Sequence, residues 1–365
     1  LSSCLGSHRL CNLSRSTSFT PTRLIEVDGR SQSSVRLVEL RSQEGEPGGY
    51  ATLSHCWGGV QVVRLMTANR ESFSRSIPTA SLPLTFQHAV AVVRVLGIKY
   101  LWIDSLCIVQ DSVADWEVES SLMAKVYGHA VVNIAATSSP TSAGGLFFDR
   151  DPDTVQPFAV YSPGHEALKL QAGWYAWKDD GRWGRLGREP LNQRAWVLQE
   201  RLLSTRTAHF TASEIMWQCL EDLSSETVPE QFDNGRLSVP VMQIGDYTDI
   251  KIAIAKARCD GLTAQLKDEM LNKWLRALSH YSTCGLSVDS DKLIAIDGMV
   301  HQLAALTGDE CLAGLWRSQL PACLLWSVGR DVSDDSVIRK TTAEEVREWK
   351  PRRWRAPSWS WASHN

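Results

Sequence analysis

The sharpest chemical clue in this sequence is a carboxylate that faces inward. Between Asp111 and His129 the apolar residues Trp116, Met123, Tyr127 and Ala130 recur at intervals of seven, four and three, which is one face of a helix. Glu119 sits three after Trp116 and four before Met123, on that stripe, whereas Glu117 falls on another face, towards water. A buried carboxylate must be hydrogen-bonded, ion-paired or shifted in pKa. A catalytic carboxylate has the same signature. Glu119 therefore reads either as an acid–base group or as the structural partner of an arginine such as Arg194.

Asp104 closes the apolar run Tyr100-Leu-Trp-Ile-Asp104. There it could hold a ligand hydroxyl or act as a general base, or it could brace an Asx-type turn. Cys107 could be a nucleophile, but that needs a lowered thiol pKa, and a free cysteine also serves as a small buried apolar residue. His55 and Cys56 are neighbours, and neighbours on a strand face opposite ways. They make a poor dyad, so His55 would need a Cys or Asp from elsewhere. His209 reads as a half-buried packing residue. Arg194-Ala-Trp-Val-Leu-Gln-Glu200 puts Trp196, Gln199 and Glu200 on one side of a helix. With Arg194 they form either a ligand clamp or a buried polar network.

These side chains need a scaffold. Residues 50–55 read as a buried strand ending at Cys56-Trp-Gly-Gly59, whose glycines allow a sharp turn. Residues 84–96 carry a helical stripe after Pro83 and stop at Gly97. Residues 100–104 form a second strand, a helix capped by Asp111 or Ser112 runs to about His129, and residues 131–136 form a third strand. Strand, helix, strand, helix, strand predicts an α/β fold with a parallel sheet. Such sheets bind ligands beyond the carboxyl ends of their strands, where Ser54, His55 and Asp104 fall. Residues 137–190 read as loop, 194–203 as helix, 207–210 and 215–219 as a hairpin, and 251–282 and 292–306 as mostly helical. The first 35 residues read as a loose arm, with a strand at 34–40.

Composition narrows the function. With 43% apolar and 22% charged residues, the 365-residue chain is an ordinary globular protein, long enough for two domains. A net charge of −3 argues against a nucleic-acid partner and gives no reason for a membrane one. No stretch reaches the roughly 18 apolar residues of a spanning helix. The nine cysteines are scattered, without CxxC or zinc-type spacing, which predicts free thiols in a reducing, cytoplasmic setting and no metal. Fifteen tryptophans read either as aromatic packing between layers or as stacking walls around a flat ligand. Neither GxGxxG nor a Walker A sequence is present, which excludes a standard dinucleotide or NTP site. The basic residues 352–355 are too few for a nucleic-acid site.

Taken together, the ordered motifs resemble the fungal HET (heterokaryon-incompatibility) domain. They are Tyr50-Ala-Thr-Leu-Ser-His-Cys-Trp-Gly-Gly59, Leu82-Pro-Leu-Thr-Phe86, Gly97-Ile-Lys-Tyr-Leu-Trp-Ile-Asp-Ser-Leu-Cys-Ile-Val-Gln-Asp111, Asp115-Trp116 with Glu119, Gly144-Gly-Leu-Phe147 and Arg194-Ala-Trp-Val-Leu-Gln-Glu200. Looser matches run on to Ala356-Pro-Ser-Trp-Ser-Trp-Ala-Ser363. Val109 and Cys284 depart from the family's usual residues. The resemblance implies an N-terminal arm over 1–40, a HET core over 41–220, and a mainly helical extension over 221–365 packed on the core. It implies a flavodoxin-like, TIR-like core with an irregular Trp-rich extension.

The family is tied to non-self recognition and cell death, and its remote likeness to TIR domains implies hydrolysis of NAD or a related nucleotide. On that view Glu119 is the catalytic carboxylate, and Ser54, Trp57 and Asp104 line the nucleotide pocket. Asp104 and Cys107 are further catalytic candidates from the residues themselves, and His55, Gln110, Arg194, Trp196, Gln199 and Glu200 are further substrate-binding candidates. NAD is then a substrate and no cofactor is required. The chemistry is coherent, because N-glycosidic cleavage passes through an oxocarbenium-like state that a carboxylate stabilises. Two alternatives stand beside it: a HET-scaffold enzyme acting on a small metabolite in a biosynthetic pathway, and a non-enzymatic module that associates with itself or a regulatory protein.

Overall fold

The computed structural model describes residues 1–13, 19–27, 32–40, 49–59, 63–150, 158–160, 174–176, 185–227, 249–326 and 356–363. In chain order its strands are β1 (Arg23–Glu26), β2 (Ser34–Glu39), β3 (Tyr50–Ser54), β4 (Ile77–Pro78), β5 (Tyr100–Trp102), β6 (Val132–Ala135), β7 (Phe158–Val160), β8 (Trp174–Ala176), β9 (Thr207–Phe210), β10 (Ile215–Gln218), β11 (Leu223–Ser225), β12 (Cys311–Leu312) and β13 (Leu315–Trp316). Nine of them make one sheet, ordered β11-β10-β9-β6-β3-β5-β1-β2-β4, and β7–β8 and β12–β13 are separate antiparallel pairs.

The centre of the sheet is parallel. β3 pairs with β5 on one side and β6 on the other, and β9 continues parallel beyond β6. All five residues of β3 are buried, as expected of a central strand covered on both faces. The antiparallel strands are added outside this core: β1, β2 and β4 at one edge, β10 and β11 at the other. The sheet is thus mixed, and its flavodoxin-like parallel part is confined to four strands.

The helices begin with α1 (Ser2–Ser7), α2 (Arg9–Leu13), α3 (Arg70–Arg75), α4 (Leu84–Val95), α5 (Asp104–Cys107) and α6 (Val113–His129). α4 starts after Pro83 and ends where Gly97 adopts φ +68°, a conformation that suits glycine. α6 opens at Ser112, whose side chain accepts from Asp115 N–H at 3.3 Å. Glu119, Met123 and Tyr127 are buried along it, Trp116 is half-buried and Glu117 is exposed. The connection β3–α4–β5 leads away from β3 to one side, and β5–α6–β6 returns past it to the other. Right-handed crossovers running in opposite senses put α4 and α6 on opposite faces. The adjacent residues Ser54 and His55 bear this out. His55 meets Phe86 of α4 edge-on at 4.8 Å, while the Ser54 hydroxyl reaches the network that holds Tyr127 of α6.

The N-terminal segment departs from the expected loose arm. α1, α2 and β1 are formed, and β1 is buried in the sheet between β2 and β5. Its charged ends, Arg23 and Glu26, disguise it in the sequence, but both find ionic partners: Arg23 with Asp115 and Glu119, Glu26 with Arg36 and Lys99. Residues 1–285 make one compact unit and 286–365 a second. Helices Asp249–Asp260 and Ala264–Thr283 belong to the first, and Ile294–Thr307 and the β12–β13 pair to the second. Residues 330–350 and 352–355 lie outside the described residues, as does much of the expected loop over 137–190.

Candidate active site

The carboxyl end of β3 lies where the chain's two crossovers diverge, the position at which open α/β sheets form a ligand crevice. Below that end, on the α6 side, is a buried polar network. The Ser54 hydroxyl donates to Glu200 Oε2 at 2.5 Å, and Asn133 Nδ2 of β6 donates to Ser54 Oγ at 3.0 Å. The Thr52 hydroxyl donates to Asn133 Oδ1 at 3.0 Å. Tyr127 also hydrogen-bonds Glu200. Burial pushes the Glu200 carboxyl up to about 7, and the Asp104 charge pushes the same way, against the Ser54 hydrogen bond and the Arg194 charge. A carboxyl balanced near neutrality is what acid–base work requires.

The loop side of the strand end is more open. Asp104 is the first residue of α5, and its Oδ1 accepts from Ser105 N–H at 2.6 Å, the local turn that keeps its carboxylate in place. Its Oδ2 accepts from Trp57 Nε1 at 2.8 Å, and His55 Nδ1 stands 3.8 Å from Oδ1. The Asp104 side chain retains 24% of its exposure, against 1% for His55. Burial lowers the His55 imidazole to about 4, more strongly than Asp104 raises it, so the ring is neutral at pH 7. Gln110 Nε2 donates to the Asp104 and Ile108 carbonyls at 3.2 and 3.0 Å, which fixes the turn after α5. Arg194 Nη1 donates to the His55 carbonyl. Its charge therefore lies over the end of β3, where it is felt by His55, Cys56 and Glu200.

Ser54, His55, Trp57, Asp104, Gln110, Arg194 and Glu200 thus gather around one strand end. Gln199 is buried and Trp196 half-buried on the Ala195–Leu203 helix that carries Glu200. Glu119 belongs to a different cluster. Its partner is Arg23, 3.1 Å away, and not Arg194. Arg23 also binds Asp115 at 2.6 Å and the Cys107 carbonyl at 2.6 Å, tying β1 to α5 and α6. Burial raises the Glu119 carboxyl, against the Thr22 hydrogen bond and the Arg23 charge. Cys107 is fully buried, and that burial pushes its thiol up to about 12, opposite to what a nucleophile needs.

Tyr127 and Asn133 were missed by the sequence reading. Tyr127 looked like one more member of an apolar stripe. Asn133, a lone amide inside Val131-Val-Asn-Ile-Ala-Ala136, was the readable signal, because a polar residue in a buried strand must have a partner. His209 is fully rather than half-buried, held by Thr137 and Gln218 at 3.3 Å each.

A doubly wound α/β domain with a polar network and a near-neutral carboxyl beneath its central strand end is the class of protein that the fold and site define. Residues 50–200 match the family model described as heterokaryon incompatibility protein (HET). This segment contains every residue of the strand-end cluster, from Ser54 to Glu200. No curated protein and no solved structure matches the chain.

Proposed function

We propose that this chain is a HET-domain effector of fungal heterokaryon incompatibility and cell death, acting as an enzyme on a small polar molecule at the carboxyl ends of β3 and β5. The observation that carries the reading is the Glu200 carboxyl, buried among Ser54 and Tyr127 and balanced near pH 7 under the influence of Asp104. Asp104, partly open to solvent and backed by Trp57, meets the ligand. Arg194 supplies positive charge for a developing or resident negative one. Glu200 stores a proton and exchanges it through the Ser54 hydroxyl. Glu119 is a structural residue in this scheme, and the helix-borne acid–base role passes to Glu200.

NAD or a related nucleotide is the first substrate to test. Trp57 and the half-buried Trp196 offer indoles on which a nicotinamide or adenine ring could stack. The experiment follows nicotinamide release from NAD by chromatography with purified chain, comparing wild type, Asp104→Asn, Glu200→Gln and Glu119→Gln. Release that is lost in the first two variants and kept in Glu119→Gln supports NAD cleavage at this site. Intact NAD, with cell death on expression still dependent on Asp104 and Glu200, points to a different small molecule. Cell death unchanged in both variants would overturn the enzymatic reading, leaving the network as a brace between sheet and helices.

A further inference from the structure

The fold assembles a second group of chemically capable side chains, remote in sequence from the strand-end cluster and outside residues 50–200. Cys4 of α1, His8 between α1 and α2, Cys11 of α2 and Cys219 just after β10 bring one ligand atom each to within 4.8 Å of one another. The sequence reading missed it: Cys4-x3-His8-x2-Cys11 supplies three groups, but the fourth comes from the far side of the chain. From these residues we propose that the chain binds one structural zinc ion, with three thiolates and one imidazole as ligands.

The donor set selects the metal. Three sulfurs and one nitrogen in a compact group suit tetrahedral zinc, which has no redox chemistry of its own here. A tetrahedron with Zn–S bonds of about 2.3 Å has S···S edges of roughly 3.8 Å. His8 Nδ1 already stands 3.3 Å from Cys219 Sγ and 4.0 Å from Cys11 Sγ. The farthest pair needs to draw in by only about 1 Å, within reach of side-chain rotation. Three of the four side chains are buried, and Leu10, Trp217, Leu220 and Ala255 pack around them, an apolar shell of the kind that closes structural sites.

The surroundings are prepared for negative sulfur. Arg206 Nε donates to Cys4 Sγ at 3.0 Å, and Asp222 N–H donates to Cys219 Sγ at 3.2 Å. Arg206 is fully buried, and its Nη2 also donates to the Cys11 carbonyl at 3.0 Å and to Asn12 Oδ1 at 3.1 Å. Binding replaces three S–H bonds by three S–Zn bonds and releases three protons. The complex then carries one net negative charge, which the Arg206 guanidinium offsets. A disulfide would use two of the three thiols and leave the third, the imidazole and the guanidinium without a role.

The clasp would pin α1 and α2 against the β10–β11 edge, and through Arg206 it would brace the segment that leaves the Glu200 helix for β9. The test uses the full chain purified without added chelator. Metal analysis is expected to find one zinc per chain. Replacement by cobalt(II) is expected to give the strong visible bands of a tetrahedral, thiolate-rich site. Removing the zinc should shift the melting temperature down by roughly 5 °C or more. His8 is half-buried, so His8→Ala is the variant that keeps the fold. It should weaken zinc retention at least tenfold, and His8→Cys should restore it with an altered cobalt spectrum. Wild-type chain that retains no zinc and gives no cobalt bands would falsify the proposal. So would a disulfide joining two of Cys4, Cys11 and Cys219 in protein prepared under reducing conditions.

Discussion

Ser54 Oγ and Glu200 Oε2 lie 2.5 Å apart although 146 residues separate them in the chain. The hydroxyl stabilises the ionised carboxylate against the burial that raises it. Ser54→Ala should therefore move the Glu200 carboxyl further up and carry the pH profile of activity towards higher pH. The lost partner should cost about 1–3 kcal/mol of stability. Activity against pH and a urea melt read the two effects separately. An unmoved profile would detach Glu200 from the chemistry.

Glu200→Gln tests the carboxyl itself. An amide of the same shape cannot exchange a proton, so activity should fall by roughly 10²–10⁴ while the circular dichroism spectrum stays that of the wild type.

The pH dependence of stability has two opposed contributions. Glu200 is raised from the ordinary 4.5 to about 7, so the folded state holds its proton longer than the unfolded one, and stability falls as pH rises from about 4.5 to 7. His55 is lowered from 6.5 to about 4, so the folded state refuses a proton the unfolded one accepts, and stability is lost as pH falls through that window. Each is on the order of 3 kcal/mol, and they largely cancel between pH 4.5 and 6.5. Glu200→Gln should unmask the histidine slope. The stability of the variant relative to wild type should rise from pH 4.5 to 7, as measured by denaturant melts across that range.

Arg23 anchors two carboxylates on α6 and is itself buried. Arg23→Met leaves Glu119 buried without its cation and should cost about 3–5 kcal/mol. Glu119→Gln, which keeps an acceptor for Arg23, should cost less and leave activity per folded molecule unchanged. A large loss of specific activity in Glu119→Gln would return that residue to the catalytic role.

Gly58 has φ +68°, and a Cβ there would stand 2.5 Å from Thr141 Cγ2, 2.6 Å from its Cβ and 3.0 Å from its Cα. Gly58→Ala therefore meets both backbone strain and backbone contact, for about 1–3 kcal/mol. The loop carrying Trp57 must shift, so substrate affinity should weaken more than turnover slows.

What was legible in the sequence was local. The stripes of α4 and α6 and the apolar runs of β3, β5 and β6 each speak within a dozen or so residues, and all five elements are present within a residue or two of their expected ends. Glu119 was correctly read as inward, but its partner was not, because pairing with Arg23 spans 96 residues and has no local signature. β1 was hidden by the charges at its ends. The Cys/His group was hidden for the same reason as the ion pair, since local spacing supplies three of its members and only the fold supplies Cys219. Glu200 reads from the sequence as part of a clamp or of a buried polar network, but its place beneath Ser54 and Tyr127 depends on three elements meeting.

Because Ser54 and His55 look out of opposite faces of the sheet, β3 works as a partition wall. One side of it faces a hydroxyl–carboxylate relay and the other a neutral imidazole against Phe86. A one-residue insertion or deletion between Tyr50 and Ser54 would turn every side chain to the other side. It would send the imidazole into the carboxylate's chamber and the hydroxyl against the aromatic ring, abolishing both halves at one stroke. Single-residue insertions and deletions in this strand should thus behave as complete loss-of-function alleles, even where the neighbouring loops tolerate changes of length.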